Sequence, residues 1–409
     1  MIKRGFRFHP PEIAFGPDLR WVLLRGFGPP EAEISCSVEP EAARAVAAAL
    51  DLGPRIGSRI GQQRLCAELG ADTARKFLIA SATAEAQGKR MMRLAREVAG
   101  VAAGAGVPLV FLKFVALYLS GAVTAGSRSV ADLDVLVSPQ DAEPFAAALL
   151  SKGFRISGVP DSDQHLAPFQ NDSGAIVEVH RYVQGLRLAR KRVFVTTGEL
   201  ASLGYLAPVP QFPGDSAMPQ REVLAAHAIA HGIAHHGRKP QEYPLFRMVA
   251  DLVDLEFARE EGKAVLEQIT PWLEGEVSLE ETQAVRNLCV CLSVGDGSLF
   301  SPVEDGGPEA LLLRHLVAGS TAQVYAESLQ VSAFLGRVSH LPRPLAVARA
   351  VWHALFLNRA QVDKIYGPQG SWAGYLRKQA LRPLDLLVQA ARSVVRHAFV
   401  QSHRKARRT

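Results

Sequence analysis

A chain of 409 residues is long for one hydrophobic core, so two or three packed units are expected. Its 48% hydrophobic and 21% charged residues exclude wholesale disorder. The net charge of +6 suits an anionic ligand such as a nucleotide and is weaker than a dedicated nucleic-acid binder would carry.

Cys36, Cys66, Cys289 and Cys291 are too few and too scattered for a disulfide framework and read as buried or free thiols in a reducing compartment. The start, MIKRGFRFHPPEIAFG, has no continuous apolar stretch to act as a signal peptide. No uncharged apolar run reaches membrane-spanning length, since the closest, 98–112, is broken by Gly100, Gly104 and Gly106. The expectation is a cytoplasmic protein with no transmembrane segment.

Residues 1–70 read as an N-terminal appendage. Within it, 21–24 suits a strand, and PEAARAVAAAL at 40–50 suits a helix by its alanines and leading proline. GPRIGSRIG at 53–61 reads as a basic loop without the lysine-serine/threonine ending of a P-loop. Residues 71–200 read as an α/β core. Asp72 opens a long helix to about residue 105, with Met91, Leu94, Val98 and Val101 at helical spacing. Pro108 then turns the chain into a strand at 109–112, with Lys113 at its end and helical turns at 115–119.

After a loop at 121–129 comes VADLDVLV, 130–137, whose alternation puts Asp132, Asp134 and Leu136 on one face and Leu133, Val135 and Val137 on the other. A helix is expected from Ser138 as cap and Pro139 as first residue to Gly153, then a strand at 154–156. A polar loop at 161–174 precedes a strand at 175–180. Residues 201–409 read as a helical C-terminal region, with helices at 220–237, 246–258, 308–317, 345–357 and 383–399.

Two aspartates at i and i+2 on a strand project from one face about 6–7 Å apart. That spacing can clamp one hard cation or bridge two, the arrangement that phosphoryl and nucleotidyl transfer use to neutralise a triphosphate. Glu178 and His180 share a face of AIVEVH, so Glu178 is the candidate third carboxylate. Three carboxylates held together without a cation would raise one another's pKa.

His227, His231 and His235 recur every four residues along one helix face, with His236 adjacent. They suit packing beside a cleft better than a zinc site, because no further ligand accompanies them. Asp251 and Asp254 could act as a general base for an acceptor hydroxyl, or pair on a surface. Residues 381–400 are amphipathic and arginine-bearing, and RSVVRHAFVQSHRKARRT at 392–409 concentrates the positive charge. Packing of a last helix, with weak binding of nucleic acid or an anionic surface, is the expectation there.

GAGVPLVFLKF (104–114), GSRSVADLDVLV (126–137), LLSKGFRI (149–156) and IVEVH (176–180) together resemble the nucleotidyltransferase superfamily that includes DNA polymerase beta. More closely they resemble the bacterial group described as uncharacterised nucleotidyltransferases, to whose helical part AHAIAHGIAHHG and FRMVADLVDL are also similar. The resemblance implies an α/β (α+β) fold: a mixed sheet of about five strands covered by helices. It implies transfer of a nucleoside monophosphate from an NTP to an unknown acceptor, with Mg²⁺ or Mn²⁺ held by Asp132, Asp134 and Glu178. Lys113 and Arg128 would then neutralise triphosphate oxygens, and His180 could orient the acceptor. Phe114 departs from the family, which has glycine after the lysine, and a bulky residue there crowds the approach of phosphate. Two other readings stay open: on Phe114, a module that binds a nucleotide or partner without turnover, and, on the basic tail, a transferase acting on tRNA.

Overall fold

The structure, a computed structural model, describes residues 16–34, 37–158, 164–188, 194–236, 245–274, 276–296, 299, 309–310, 312–313, 316–317, 356 and 371–384. Four short helices come first: α1 (Pro17–Phe27), α2 (Pro40–Ala49), α3 (Gly53–Arg59) and α4 (Gln62–Leu69). The long α5 (Ala71–Gly104) leads to β1 (Leu109–Phe111), α6 (Lys113–Leu119) and β2 (Asp132–Leu136). Then come α7 (Ala142–Ser151), β3 (Arg155–Ile156), β4 (Phe169–Gln170), β5 (Ile176–His180), β6 (Val183–Gln184) and β7 (Phe194–Val195). The remaining elements are α8 (Thr197–Ser202), β8 (Leu206–Pro208), β9 (Ser216–Pro219), α9 (Arg221–Ile229), a π-helix (Ala230–His236), α10 (Leu245–Asp254), α11 (Glu261–Leu273) and α12 (Leu279–Val294).

One mixed sheet of seven strands runs β3-β4-β5-β2-β1-β9-β8, and β6 with β7 forms a separate ribbon. The α/β architecture expected from the sequence is present, on a wider sheet. At its centre β2 pairs antiparallel with β1 and parallel with β5. Buried side chains from the sheet and from the helices before and after it merge into one core.

Several local expectations are corrected. Residues 21–24 lie in helix α1, where Trp21 to Phe27 are all buried; a helix covered all round loses the period that would betray it. GPRIGSRIG forms α3, not a loop. Gly57 serves packing, because a Cβ there would lie 2.2 Å from the Phe77 carbonyl oxygen of α5. The helix expected from Pro139 begins at Ala142, because residues 138–141 form a turn in which Ser138 Oγ accepts the Asp141 N–H (3.2 Å) and donates to its carboxylate (2.6 Å). β4 lies in the stretch read as a polar loop. β8 and β9 lie in the region read as mostly helical, where β9 pairs parallel with β1. These strands are two to four residues long and offer no alternation to read.

The expected helix at 345–357 lies outside the described residues apart from Phe356, and the expected helix at 383–399 and the basic tail lie outside apart from 381–384. Cys66, Cys289 and Cys291 are free thiols; burial pushes the Cys289 thiol up to about 12, making it an inert core residue.

Candidate active site

Alternation along the two central strands builds the site. Leu133 and Val135 of β2, with Val177 and Val179 of β5, are fully buried on one side of the sheet. Asp132, Asp134, Glu178 and His180 therefore project from the other. The parallel register sets Asp134 opposite Glu178 and Leu136 opposite His180. Lys113 arrives from the neighbouring strand: β1 ends at Phe111, the Leu112 N–H donates to the Asp134 carbonyl (3.0 Å), and Lys113 opens α6.

Asp134 is the hub, 3% exposed. Its Oδ1 lies 2.6 Å from Lys113 Nζ and 2.9 Å from His180 Nε2. Burial alone would raise its carboxyl; the Lys113 ammonium and the His180 contact outweigh that and hold it well below the ordinary range. Asp132 moves the other way. The charge of Asp134 is the main cause and burial the second, while Lys113, Arg247 and Arg128 pull against them. Lys113 is held above the usual lysine range: burial opposes the shift, but Asp134, Asp132 and Glu178 overcome it.

Lys113 also sits at φ 45°, in the left-handed region, which for a side chain of this size costs about 1–3 kcal/mol. A strained lysine aimed at two aspartates fits a site held together by charge.

The facing wall comes from the chain beyond residue 220. Lys113, Arg128, His227, His231 and Asp251 line a small open cleft with Leu117, Leu224 and Ala228 as its apolar part. His227 and His231 pack edge to face, ring centres 5.7 Å apart, where α9 passes into the π-helix. The side chains of His235 and His236 lie outside the described residues. Arg128 is brought to this cleft, but its Nη1 lies 2.6 Å from both oxygens of Asp251. Its Nε is buried without a hydrogen-bond partner among the described residues.

Asp254 likewise holds Arg55 at 2.6 and 2.7 Å. Both aspartates considered as a general base are thus engaged by buried arginines, and burial pushes the Asp251 carboxyl up. Phe114 turns its ring into the core, 3% exposed and 6.1 Å from the Tyr118 ring. The phenylalanine ring is therefore packed away from the cleft that Lys113 lines.

Two residues beyond those read from the sequence belong to this surrounding. Arg247 acts electrostatically on Asp132 and pairs with Asp51 at 2.6 Å. The run FRMVADLVDL carried that signal, but its arginine has no spacing relation to Asp132 in the chain. His165 forms an isolated bridge with His180, their rings edge to face at 5.3 Å. Nothing local marks it, since it lies in a stretch with no readable period.

One ligand atom each from Asp134, Glu178 and His180 lies within 4.8 Å of the others. Two carboxylates and an imidazole at that separation, beside an Asp132 carboxyl raised by its neighbour's charge, fit a divalent cation. Asp132 is on the same strand face but outside this closest set.

Residues 37–263 match the family model described as uncharacterised nucleotidyltransferase. No curated protein and no solved structure matches the chain.

Proposed function

The chain belongs to the uncharacterised nucleotidyltransferase family, and from that premise we propose that it moves a nucleoside monophosphate from an NTP to an acceptor. The acceptor oxygen or nitrogen attacks the α-phosphorus, the bond to the β-phosphate oxygen breaks, and pyrophosphate leaves with the electron pair. Asp132, Asp134 and Glu178 would hold Mg²⁺ or Mn²⁺, with His180 beside them. Bound there, the cation supplies charge neutralisation at the phosphate oxygens.

Lys113 is the cation nearest the carboxylates and would turn from Asp134 to a phosphate oxygen when the nucleotide enters. Arg128, fixed through Asp251, offers its remaining N–H groups along the cleft. Asp132 keeps a proton most readily of the two aspartates and is the proposed recipient of the acceptor's proton. The observation that carries this reading is the carboxylate face of β2 and β5, with Lys113 against it, inside the family match.

The test is binding and turnover of each of the four NTPs with Mg²⁺ or Mn²⁺, in wild type and in Asp132→Asn/Asp134→Asn. Cation-dependent binding and pyrophosphate release that vanish in the double variant support the proposal. Turnover that survives it means these aspartates are not the site.

A second reading has one observation in its favour. Lys113 Nζ already compensates Asp134, as an ammonium would in a site with no cation of its own. A nucleotide-binding module without turnover would give nucleotide affinity in wild type and no pyrophosphate with any acceptor.

A further inference from the structure

We infer that the cleft between α6 and α9 is the acceptor pocket, and that the acceptor is a small molecule with one oxyanion head, a carboxylate or a phosphate. The inference rests on the transferase reading above and adds the class of acceptor.

The cleft lies beside the carboxylate face and shares Lys113 with it. Among the described residues, Asp132, Asp134 and Glu178 stay outside its lining, whereas Arg128, Asp251, His227 and His231 form it. Arg128 is 9% exposed, and among the described residues its guanidinium donates through Nη1 alone, to both oxygens of Asp251. Its Nε is buried with no acceptor among them. An N–H taken out of water without a partner is costly, and a ligand oxygen would relieve it. With Nη1 engaged, the edge formed by Nε and Nη2 remains, and that edge matches the paired oxygens of a carboxylate or phosphate.

The histidines supply the opposite wall. His227 lies in the last turn of α9 and His231 in the π-helix that follows, their ring centres 5.7 Å apart. Such π-turns are rare and frequently mark functional sites. This one is pressed onto α10, the helix that carries Asp251: a Cβ on Gly232 would lie 2.3 Å from Met248 Sδ. The wall is thus built before any ligand enters, and imidazole N–H groups can join the guanidinium as donors.

Size and lining decide what enters. The cleft has room for about two waters, which is the size of one oxyanion head and too little for a nucleobase or a pyrophosphate. Leu117, Leu224 and Ala228 also line it, and Asp251 repels any further negative charge. A triphosphate tail is charged along its whole length and would set charge against those apolar side chains. A single anionic head on a carbon body uses both kinds of wall. Lys113, at the border, stays with the donor.

The first arm of the experiment titrates the full chain, its histidine rings labelled with ¹⁵N, with inorganic phosphate and with glycolate. Both are expected to shift the His227 and His231 ring signals saturably. Ala228→Phe, shown folded by circular dichroism, fills the cleft and should weaken that binding by on the order of ten-fold. His227→Leu, read through His231, is the second variant, with the same expectation. The second arm follows pyrophosphate release from the four NTPs with hydroxy acids, amino acids and sugar phosphates, each beside its neutral ester or free sugar. Charged acceptors are expected to exceed their neutral counterparts in kcat/KM by on the order of ten-fold.

Ring signals that neither probe shifts, or binding that survives both variants, overturn the pocket. Equal release with charged and neutral acceptors overturns the acceptor class. Displacement of both probes by NTP puts the donor's terminal phosphate in the cleft and overturns the assignment to the acceptor. NTP turnover that persists in Asp132→Asn/Asp134→Asn removes the transferase site while the probe titration still stands, so the two failures are told apart.

Discussion

Removing the Asp251 carboxylate tests how the cleft wall is held. Arg128 and Asp251 have side-chain exposures of 10% and 8%, and one guanidinium nitrogen meets both carboxylate oxygens at 2.6 Å. Asp251→Ala leaves that guanidinium buried with its Nε already lacking a partner among the described residues. Breaking a buried pair from one side costs about 3–5 kcal/mol, because the remaining charge is desolvated and uncompensated. Here Asp132 still attracts Arg128, so the lower part of that range applies, about 3–4 kcal/mol. For a chain of this size the melting temperature should fall by roughly 3–5 °C.

Urea unfolding and thermal melts of Asp251→Ala, Arg128→Met and the double variant form the cycle. If the cost is an orphaned charge, the double variant is more stable than Asp251→Ala alone. A loss below about 1 kcal/mol for Asp251→Ala, or a double variant that simply adds the two single losses, would refute the reasoning.

Lys113→Met should lower NTP turnover more than about ten-fold, since it removes the cation closest to the carboxylates; steady-state pyrophosphate release at saturating nucleotide checks this, and unchanged turnover would exclude the lysine from the chemistry. Gly57→Ala should destabilise by about 1–3 kcal/mol, because the added carbon meets the Phe77 carbonyl, while cation binding at the site stays as in wild type; a melt and an Mn²⁺ titration read both. Glu68 gives a pH signature. Burial would raise its carboxyl, but hydrogen bonds from Arg25, Arg64 and Trp21 hold it below its ordinary 4.5. A depressed carboxyl contributes stability in full above that unfolded value and loses it as pH falls through the folded one. Urea midpoints of wild type should therefore drop more steeply below about pH 4.5 than those of Glu68→Gln, and parallel curves would contradict the linkage.

The sequence by itself determined the centre of this protein. Alternation in ADLDVLV and AIVEVH decides which side chains leave which face, because a strand's period is two whatever surrounds it. That was enough to put Asp132, Asp134, Glu178 and His180 together and to recognise the family. The long α5 was legible for the same reason, since its apolar stripe has one side to hide.

Only the tertiary structure decided the rest. Gly57 of α3 looks like part of a loop until α5 packs on it, and the later turns of α1 show no period because Trp21 to Phe27 are all buried. Strands β8 and β9 exist because β1 offers an edge, a condition absent from their own residues. The pairing of Arg128 with Asp251, 123 positions apart, and of Arg55 with Asp254, 199 apart, was set by folding and not by any local pattern. Local pattern reports what a residue shares with its chain neighbours, whereas a buried charge is defined by the partner that folding brings to it.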